Sequence, residues 1–303
     1  MSSLRGKGQS HIGTDTAGGR FAPSPTGDLH FGSLLAAVAS CCEARRWGIP
    51  WRLRIDDIDG PRSVPGSSRR IQEALRLYGM PWDDDIVWQS QHHERYTNAL
   101  AELIRQGLVF SCSCSRRSLP AGKPYPGTCR TNRVRSDDEP VIDRALRLEL
   151  PEQIEFDDAI QGKQVVALSE ELGDMIIWRR DQLVSYSLAC ALDDAMGCSE
   201  VVRGADLLSS TGAQIAIMRY LSFEPPRYAH IPVAVDVNND KLSKHSKAAP
   251  IAQLDPLTTL SRAWQFLGQA PVHSETVTSF WSDAVKQWDL SAVPVTLRLS
   301  ENR

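Results

Sequence analysis

The stretch RFAPSPTGDLHFGS at residues 20–33 decides the fold. A short apolar run leads into a turn rich in proline and glycine, and residues 33–47 are then apolar nearly all round, as in a buried helix. Gly48-Ile49-Pro50 ends that helix, and residues 51–55 resume as a strand. Because strand, turn, buried helix and strand make a βαβ unit, the sequence predicts an α/β fold with a Rossmann-type parallel sheet.

The composition is that of an ordinary globular protein, with 303 residues, 42% of them hydrophobic and 23% charged. No apolar run approaches the ~20 residues of a membrane span. Residues 1–19 are polar, so we expect a flexible N-terminal extension and a cytoplasmic protein. The net charge of −3 argues against non-specific nucleic-acid binding over a broad surface, but it leaves room for a local basic patch that grips one RNA.

Two short motifs are typical of phosphate handling. His30, Gly32 and Ser33 fall where the first helix begins, and backbone N–H groups at a helix N-terminus favour an anion. Lys241 and Lys244 flank a serine in KLSK, about two hundred residues downstream, and suit the β- and γ-phosphates of ATP. Taken alone, the first motif could equally be a surface turn and the second a solvated loop. In this order and together, they predict an ATP site in which His30, Lys241 and Lys244 are catalytic.

Three of the seven cysteines cluster in one irregular segment: Cys112, Cys114 and Cys129. The segment runs to about residue 140 and is too long for a plain connection. Zinc prefers thiolate ligands in tetrahedral geometry and would organise such a loop. The spacing does not give the fourth ligand, since the loop has no histidine. The alternative is three free thiols.

The chain resembles class I aminoacyl-tRNA synthetases of the glutamyl branch. The resemblance covers residues 20–245 and rests on four strings of the sequence. They are the opening stretch at residues 20–33, LRIDDID at residues 53–59, VVRGADLL at residues 201–208, and KLSK at residues 241–244. The family implies ATP as a substrate with Mg²⁺, and one structural zinc ion held by the three cysteines and Tyr125.

The same resemblance implies a binding site for L-glutamate. Its residues are Arg20, Phe21, Ala22, Pro23, Ser24, Asp56, Tyr186 and Arg203. The guanidinium forks of the two arginines suit a carboxylate, and Asp56 suits the α-ammonium group. Tyr186 can close the pocket with its ring and a directed hydroxyl. Two cations facing one anionic side chain would also reject glutamine.

The implied organisation has a catalytic domain in two halves, residues 20–107 and 179–250. A zinc-bearing insertion at residues 108–178 separates them, and residues 251–303 form a short, mainly helical C-terminal region. About sixty residues after Lys244 are too few for the anticodon-binding body of a full glutamyl-tRNA synthetase.

This length matches short members of the family that activate glutamate without tRNA and transfer it to queuosine in the anticodon of tRNA(Asp). A single-stranded anticodon loop can present its bases to a small pocket, and a monomer is expected. Two alternatives stay open: a truncated synthetase that charges a tRNA 3′ end, and a catalytically silent zinc-bearing RNA-binding module.

Overall fold

A computed structural model describes residues 18–115, 117–119, 122–135, 143–236 and 249–300. Its strands are β1 (Gly19–Phe21), β2 (Trp51–Ile55), β3 (Asp83–Trp88), β4 (Val109–Cys112), β5 (Ala145–Leu148), β6 (Ile154–Asp158), β7 (Gly162–Val166), β8 (Met175–Trp178), β9 (Glu200–Gly204), β10 (Arg227–Ile231), β11 (Val233–Val235) and β12 (Arg298–Ser300). Its helices are α1 (Phe31–Arg46), α2 (Ser67–Leu77), α3 (His93–Arg105), α4 (Leu168–Glu171), α5 (Tyr186–Gly197), α6 (Leu208–Tyr220), α7 (Pro256–Phe266) and α8 (Val277–Gln287).

The predicted βαβ unit is confirmed. β1 and β2 pair in parallel with Gly19 opposite Trp51, and β3 continues the sheet on the far side of β2. α1 packs against β1 and β2 and is buried on most sides, as its continuous apolar sequence predicts. It begins two residues earlier than the sequence pattern suggests, because Phe31 already belongs to its first turn.

A second sheet has the order β7-β6-β10-β9, with β6, β10 and β9 parallel to one another. It meets the first sheet at Gly18, whose carbonyl accepts hydrogen bonds from the N–H groups of Ser199 (3.0 Å) and Glu200 (3.3 Å). The point where β1 lies beside β9 is the place at which doubly wound folds open a ligand crevice, at the carboxyl ends of the strands.

The segment predicted as a zinc-bearing insertion contributes to two different sheets. β4, β5 and β8 form an antiparallel sheet of their own, and β4 leads into the cysteine loop. The hairpin of β6 and β7 instead extends the parallel sheet, since β6 pairs with β10. β6 was not predicted, because its apolar–polar alternation is short and includes three acidic side chains, which are uncommon in strands.

The predicted helices near the C-terminus are confirmed as α7 and α8, both of which pack on α1. Asp255 caps α7 by accepting a hydrogen bond from the N–H of Thr258, and Trp264 of α7 is buried in the core around α1. No helix in the described ranges is both long and apolar enough to cross a membrane.

Candidate active site and metal centre

A cavity of about 390 Å³ lies at the carboxyl ends of β1, β9 and β10, against the N-terminus of α1. The structure brings ten of the predicted site residues to its wall: Arg20, Phe21, Ala22, Pro23, Ser24, His30, Gly32, Ser33, Tyr186 and Arg203. The chain segments that meet here are far apart in sequence and converge because the two parallel sheets join at this edge. The size and the mixed polar and apolar lining suit a small organic ligand.

The N-terminus of α1 gives the cavity a phosphate-compatible end. The first turn of α1 contains no acidic side chain, so its free N–H groups are not neutralised from within the helix. His30 precedes the helix in extended conformation, and its Nδ1 is buried without a hydrogen-bond partner among the described residues. Both features fit an anionic ligand such as a nucleotide phosphate.

Arg203 supplies the cavity with a buried cation. Its Nη2 donates to Thr211 Oγ1 (2.6 Å) and Gln214 Oε1 (2.7 Å), and its Nε contacts His230 Nε2 (3.3 Å). All these partners are neutral or polar, and no carboxylate within the described ranges forms an ion pair with Arg203. Its Nη1 is buried and has no hydrogen-bond partner there. Since buried charges need a counter-charge, Arg203 fits an anionic ligand group.

Arg20, the second predicted carboxylate binder, is already paired. Its Nε and Nη2 each lie 3.1 Å from a carboxylate oxygen of Asp194, and its Nη1 donates to the carbonyl of Val202 (3.3 Å). Burial alone would raise the pKa of Asp194, but Arg20 and Arg54 hold that pKa well below its ordinary value. Arg20 therefore lines the cavity as one half of an ion pair.

Asp56 is not among the residues that line the cavity. Its carboxylate accepts from Arg54 Nε (2.7 Å) and Nη2 (3.3 Å), and Cys190 Sγ lies 3.5 Å away. Its backbone N–H donates to the carbonyl of Pro23 (3.1 Å), so the residue sits directly behind the cavity wall. Burial raises the pKa of Asp56, although Arg54 opposes the shift. Its binding of the α-ammonium group remains a prediction.

Tyr186 opens α5 and borders the cavity. The neighbouring Cys190 and burial both raise the pKa of its phenol, so the hydroxyl keeps its proton and can donate a hydrogen bond. Lys241 and Lys244, the remaining predicted catalytic residues, lie outside the described residues.

Sequence reasoning missed Arg54 and Asp194, which join Arg20 and Asp56 in one buried network. Arg54 Nη1 donates to Asp194 Oδ1 at 2.6 Å and links the two ion pairs. A signal was available: Asp193 and Asp194 interrupt the otherwise apolar run of α5. Buried acidic side chains in such a helix require cationic partners. Arg54 supplies one from the buried strand β2.

The predicted metal ligands converge at one point. The Sγ atoms of Cys112, Cys114 and Cys129 lie within 4.8 Å of one another, and Cys114 and Cys129 are 3.6 Å apart. Tyr125 Oη lies 3.6 Å from Cys112 Sγ and 4.0 Å from Cys114 Sγ. Two sulfurs in a tetrahedral zinc site are about 3.8 Å apart, given a Zn–S bond of about 2.3 Å. The cluster therefore has spacings that fit a metal ion.

A neighbouring cation prepares the cluster for metal binding. Burial raises the pKa of Cys112, but hydrogen bonds from Arg147 and Tyr125 outweigh it and lower the pKa to about 7. The Arg147 guanidinium lies 3.8 Å from the centre of the Tyr125 ring. A thiol that ionises near neutral pH binds zinc more readily, because thiolate is the ligand form.

The sequence matches the family model described as tRNA synthetases class I (E and Q), catalytic domain, over residues 18–256. The chain is 43% identical to a glutamyl-Q tRNA(Asp) synthetase of Aromatoleum aromaticum, with 92% of this chain and 91% of the relative covered. It is 41% identical to the glutamyl-Q tRNA(Asp) synthetase of Pseudomonas fluorescens, with 93% and 95% covered.

Among solved structures, the glutamate-tRNA synthetase of Elizabethkingia anophelis superposes with a TM-score of 0.77 at 23% identity, over 93% of this chain and 67% of that one. A glutamate tRNA ligase of Elizabethkingia meningosepticum gives 0.75 at 22% identity, over 93% and 66%. The chain thus spans about two thirds of the length of these two proteins, which share its fold. Together with the family match over residues 18–256, these results show that the chain belongs to the class I tRNA synthetases of the E and Q group.

Proposed function

We propose that this enzyme activates L-glutamate with ATP, independently of tRNA, and transfers the glutamyl group to queuosine in the anticodon of tRNA(Asp). Relatives that carry the name glutamyl-Q tRNA(Asp) synthetase match nearly the whole chain at 41–44% identity. At that similarity and coverage, the overall reaction is shared. The alternative of a silent RNA-binding module is disfavoured, since the cavity keeps the groups that the chemistry needs.

The observation that carries the choice of amino acid is the unneutralised charge of Arg203. Arg20 and Arg54 form ion pairs with Asp194 and Asp56, whereas no described carboxylate forms an ion pair with Arg203. A ligand carboxylate would give Arg203 a direct partner of opposite charge, whereas the amide of glutamine would leave the buried cation without one. We propose that Arg203 binds a carboxylate of glutamate, and that Tyr186 donates a hydrogen bond to the same ligand.

ATP is proposed to lie with its phosphates at the N-terminus of α1. The backbone at Gly32, the hydroxyl of Ser33 and His30 Nδ1 would bind the phosphates, whereas the Ser33 N–H already donates to the carbonyl of His30 (2.9 Å). From the sequence motif, Lys241 and Lys244 would stabilise the charge that shifts onto pyrophosphate. Mg²⁺, when bound to the phosphates, neutralises part of their charge.

The first step joins the α-carboxylate of glutamate to the α-phosphorus of ATP. The carboxylate oxygen attacks, the bond to the bridging oxygen breaks, and pyrophosphate leaves with its electron pair, so glutamyl-adenylate remains. The protein contributes mainly position and electrostatic stabilisation, because no proton has to move in this step. In the second step, a hydroxyl oxygen of queuosine attacks the activated carbonyl, AMP leaves, and the hydroxyl proton passes to a base or to solvent.

The cysteine cluster is proposed to hold one structural zinc ion through Cys112, Cys114, Cys129 and Tyr125. The ion would fold the loop after β4 by joining donors from both of its ends. We propose that the enzyme acts as a monomer. We expect the enzyme to work in the cytoplasm, where tRNA and ATP are available.

The acceptor is tested with radiolabelled glutamate, ATP and two preparations of tRNA(Asp), one with queuosine and one with guanine at that position. We expect label on the queuosine-containing tRNA alone, and we expect periodate oxidation of its cyclopentenediol beforehand to prevent labelling. Equal labelling of both preparations would refute queuosine as the acceptor and would favour the truncated synthetase that charges a 3′ end. A Lys244→Ala variant should lose most of the activation activity.

A further inference from the structure

We infer that Asp158 and His230 form a positioning pair that orients the Arg203 guanidinium, and so set the selectivity of the site for a carboxylate ligand. The inference rests on the proposed role of Arg203 as the glutamate-binding cation. Neither Asp158 nor His230 is among the residues that line the cavity. Both are positioning residues that would act through Arg203.

The two strands that carry these residues place His230 directly beside Arg203. β9 and β10 pair in parallel with Arg203 opposite His230, so the two side chains lie on the same face of the sheet. His230 is fully buried, and its Nε2 lies 3.3 Å from Arg203 Nε and 2.8 Å from Thr211 Oγ1. The imidazole therefore contacts the guanidinium from the side opposite to Nη1.

Asp158, at the end of β6, holds the other side of the imidazole. Its Oδ1 accepts hydrogen bonds from the N–H groups of Ile160 (3.0 Å), Gln161 (2.8 Å) and His230 (3.1 Å). Its Oδ2 lies 2.6 Å from His230 Nδ1. Three backbone donors on one oxygen prevent the carboxylate from turning, and the second oxygen is left facing the histidine.

This geometry selects one protonation state for the pair. Burial lowers the pKa of His230, although Asp158 opposes the shift, so the imidazole is neutral. Burial alone would raise the pKa of Asp158, but hydrogen bonds from His230 and the backbone lower it, so the carboxylate is ionised. The single ring proton then lies on Nδ1, where it is donated to Asp158, and Nε2 is left as an acceptor.

With Nε2 of His230 as an acceptor, the Arg203 guanidinium is held in one orientation by its hydrogen bonds. Arg203 Nε–H points to His230, and Nη2 donates to Thr211 and Gln214. The ring of Tyr228 covers one face, with its centre 5.2 Å from the guanidinium carbon. Nη1 alone has no partner among the described residues, and it is the nitrogen left to a ligand. If the ring proton moved to Nε2, it would be donated to Thr211 Oγ1, whose own hydroxyl donates to the carbonyl of Leu207 (2.9 Å). Arg203 Nε–H would then face a donor at 3.3 Å and lose its acceptor, so the guanidinium would no longer be held in this orientation.

Asp158→Asn should produce that change. The amide oxygen must take the place of Oδ1 to satisfy the three backbone N–H groups, so the amide NH₂ faces His230 Nδ1. That nitrogen must then accept, and the ring proton moves to Nε2 opposite Arg203. The substitution alters no group in the cavity wall and hardly changes side-chain volume, which makes it a specific probe of the relay.

The test compares Asp158→Asn with Asp157→Asn, whose side chain is exposed one residue earlier on β6. Glutamate-dependent exchange of pyrophosphate into ATP gives KM separately for glutamate and for ATP. Asp158→Asn is expected to raise the KM for glutamate roughly tenfold or more, the factor for losing one hydrogen bond to a charged group. The KM for ATP and every value for Asp157→Asn should stay within about twofold of wild type.

A second variant and a spectroscopic measurement separate positioning from a structural role. His230→Leu removes both ring nitrogens, so no proton can move towards Arg203 in that background. Asp158→Asn should therefore change the KM for glutamate much less in the His230→Leu background than in wild type. Nitrogen NMR of the ring of His230, assigned by its loss in His230→Leu, should show the proton on Nδ1 in wild type and on Nε2 in Asp158→Asn.

The outcomes distinguish this inference from the proposed function. If the wild-type enzyme shows no glutamate-dependent exchange, the proposed function fails. If wild type activates glutamate while folded Asp158→Asn keeps the wild-type KM, the positioning role is refuted. A wild-type His230 with its proton on Nε2 refutes it too, and this result does not require Asp158→Asn to fold.

Discussion

Arg20 and Asp194 form a two-point ion pair at the base of the cavity, with both nitrogen–oxygen distances at 3.1 Å and both side chains almost fully buried. The positive charge of Arg20 is therefore balanced within the protein. That of Arg203 is balanced by no carboxylate within hydrogen-bond reach among the described residues. The two arginines appear equivalent in the sequence, but only Arg203 has a buried nitrogen left without a partner.

Replacing Arg203 with lysine keeps the charge but removes the planar fork, so it tests the need for that geometry. Arg203→Lys should raise the KM for glutamate about 10–100-fold, which corresponds to about 1.5–3 kcal/mol for a charge-assisted hydrogen bond. The KM for ATP should change little. Steady-state pyrophosphate exchange measures both constants, and Arg219→Lys, on the exposed face of α6, is the matched control. An unchanged KM for glutamate would show that Arg203 does not bind it.

Removing the charge of Asp194 should destabilise the protein, because the buried guanidinium groups of Arg20 and Arg54 then lose a shared counter-charge. We expect Asp194→Asn to lower the free energy of unfolding by about 3–5 kcal/mol, as when one member of a buried ion pair is removed. Asp181→Asn, which breaks a half-exposed pair with Arg179, should cost about 1 kcal/mol or less. Urea titrations of both variants test this; equal losses would contradict the role of Asp194.

The sequence predicts well those features that depend on neighbouring residues. The βαβ unit and the helix start near His30 follow from local patterns, and the cysteine cluster from short spacing. The partners of Arg203 could not be predicted in that way: His230 and Asp158 are separated by 72 residues and meet only because β6 pairs with β10. The ion pair of Arg54 with Asp194 could not be predicted for the same reason, because Asp194 on α5 lies 140 residues further along the chain.

Glu200 gives the enzyme a pH-dependent stability. Burial and the neighbouring Glu43 raise the pKa of Glu200 to about 7, although Arg227 opposes them. Since this pKa is higher in the folded than in the unfolded chain, its contribution is fully present at low pH and is lost as pH rises through about 7. Relative to Glu200→Gln, wild type should lose about 2–3 kcal/mol of unfolding free energy between about pH 5 and 8.

Urea unfolding at several pH values measures this difference. Glu152→Gln serves as the control, because that side chain is exposed. It should follow the wild-type pH dependence throughout. If Glu200→Gln and wild type lose stability in parallel, Glu200 does not hold a proton near neutral pH in the folded protein.

The metal site predicts about one zinc ion per chain in protein purified without chelator. Cys114→Ser should lose the ion. Tyr125→Phe should bind it more weakly, because the fourth donor is gone. Elemental analysis and competition with a chromogenic chelator measure both effects, and Cys198→Ala, outside the cluster, should retain the metal. Zinc well below one per chain in wild type would favour free thiols, and full retention by Tyr125→Phe would exclude the phenol as a ligand.

We expect the cavity between β1 and β9 to activate glutamate without tRNA. Exchange of labelled pyrophosphate into ATP, measured without tRNA, tests this most directly when glutamate, glutamine and aspartate are compared at equal concentration. We predict exchange with glutamate, and far less with glutamine, which leaves Arg203 without a counter-charge, or with aspartate, which is one methylene shorter. Exchange that requires tRNA would refute tRNA-independent activation, and equal exchange with glutamine would refute selection of a carboxylate by Arg203.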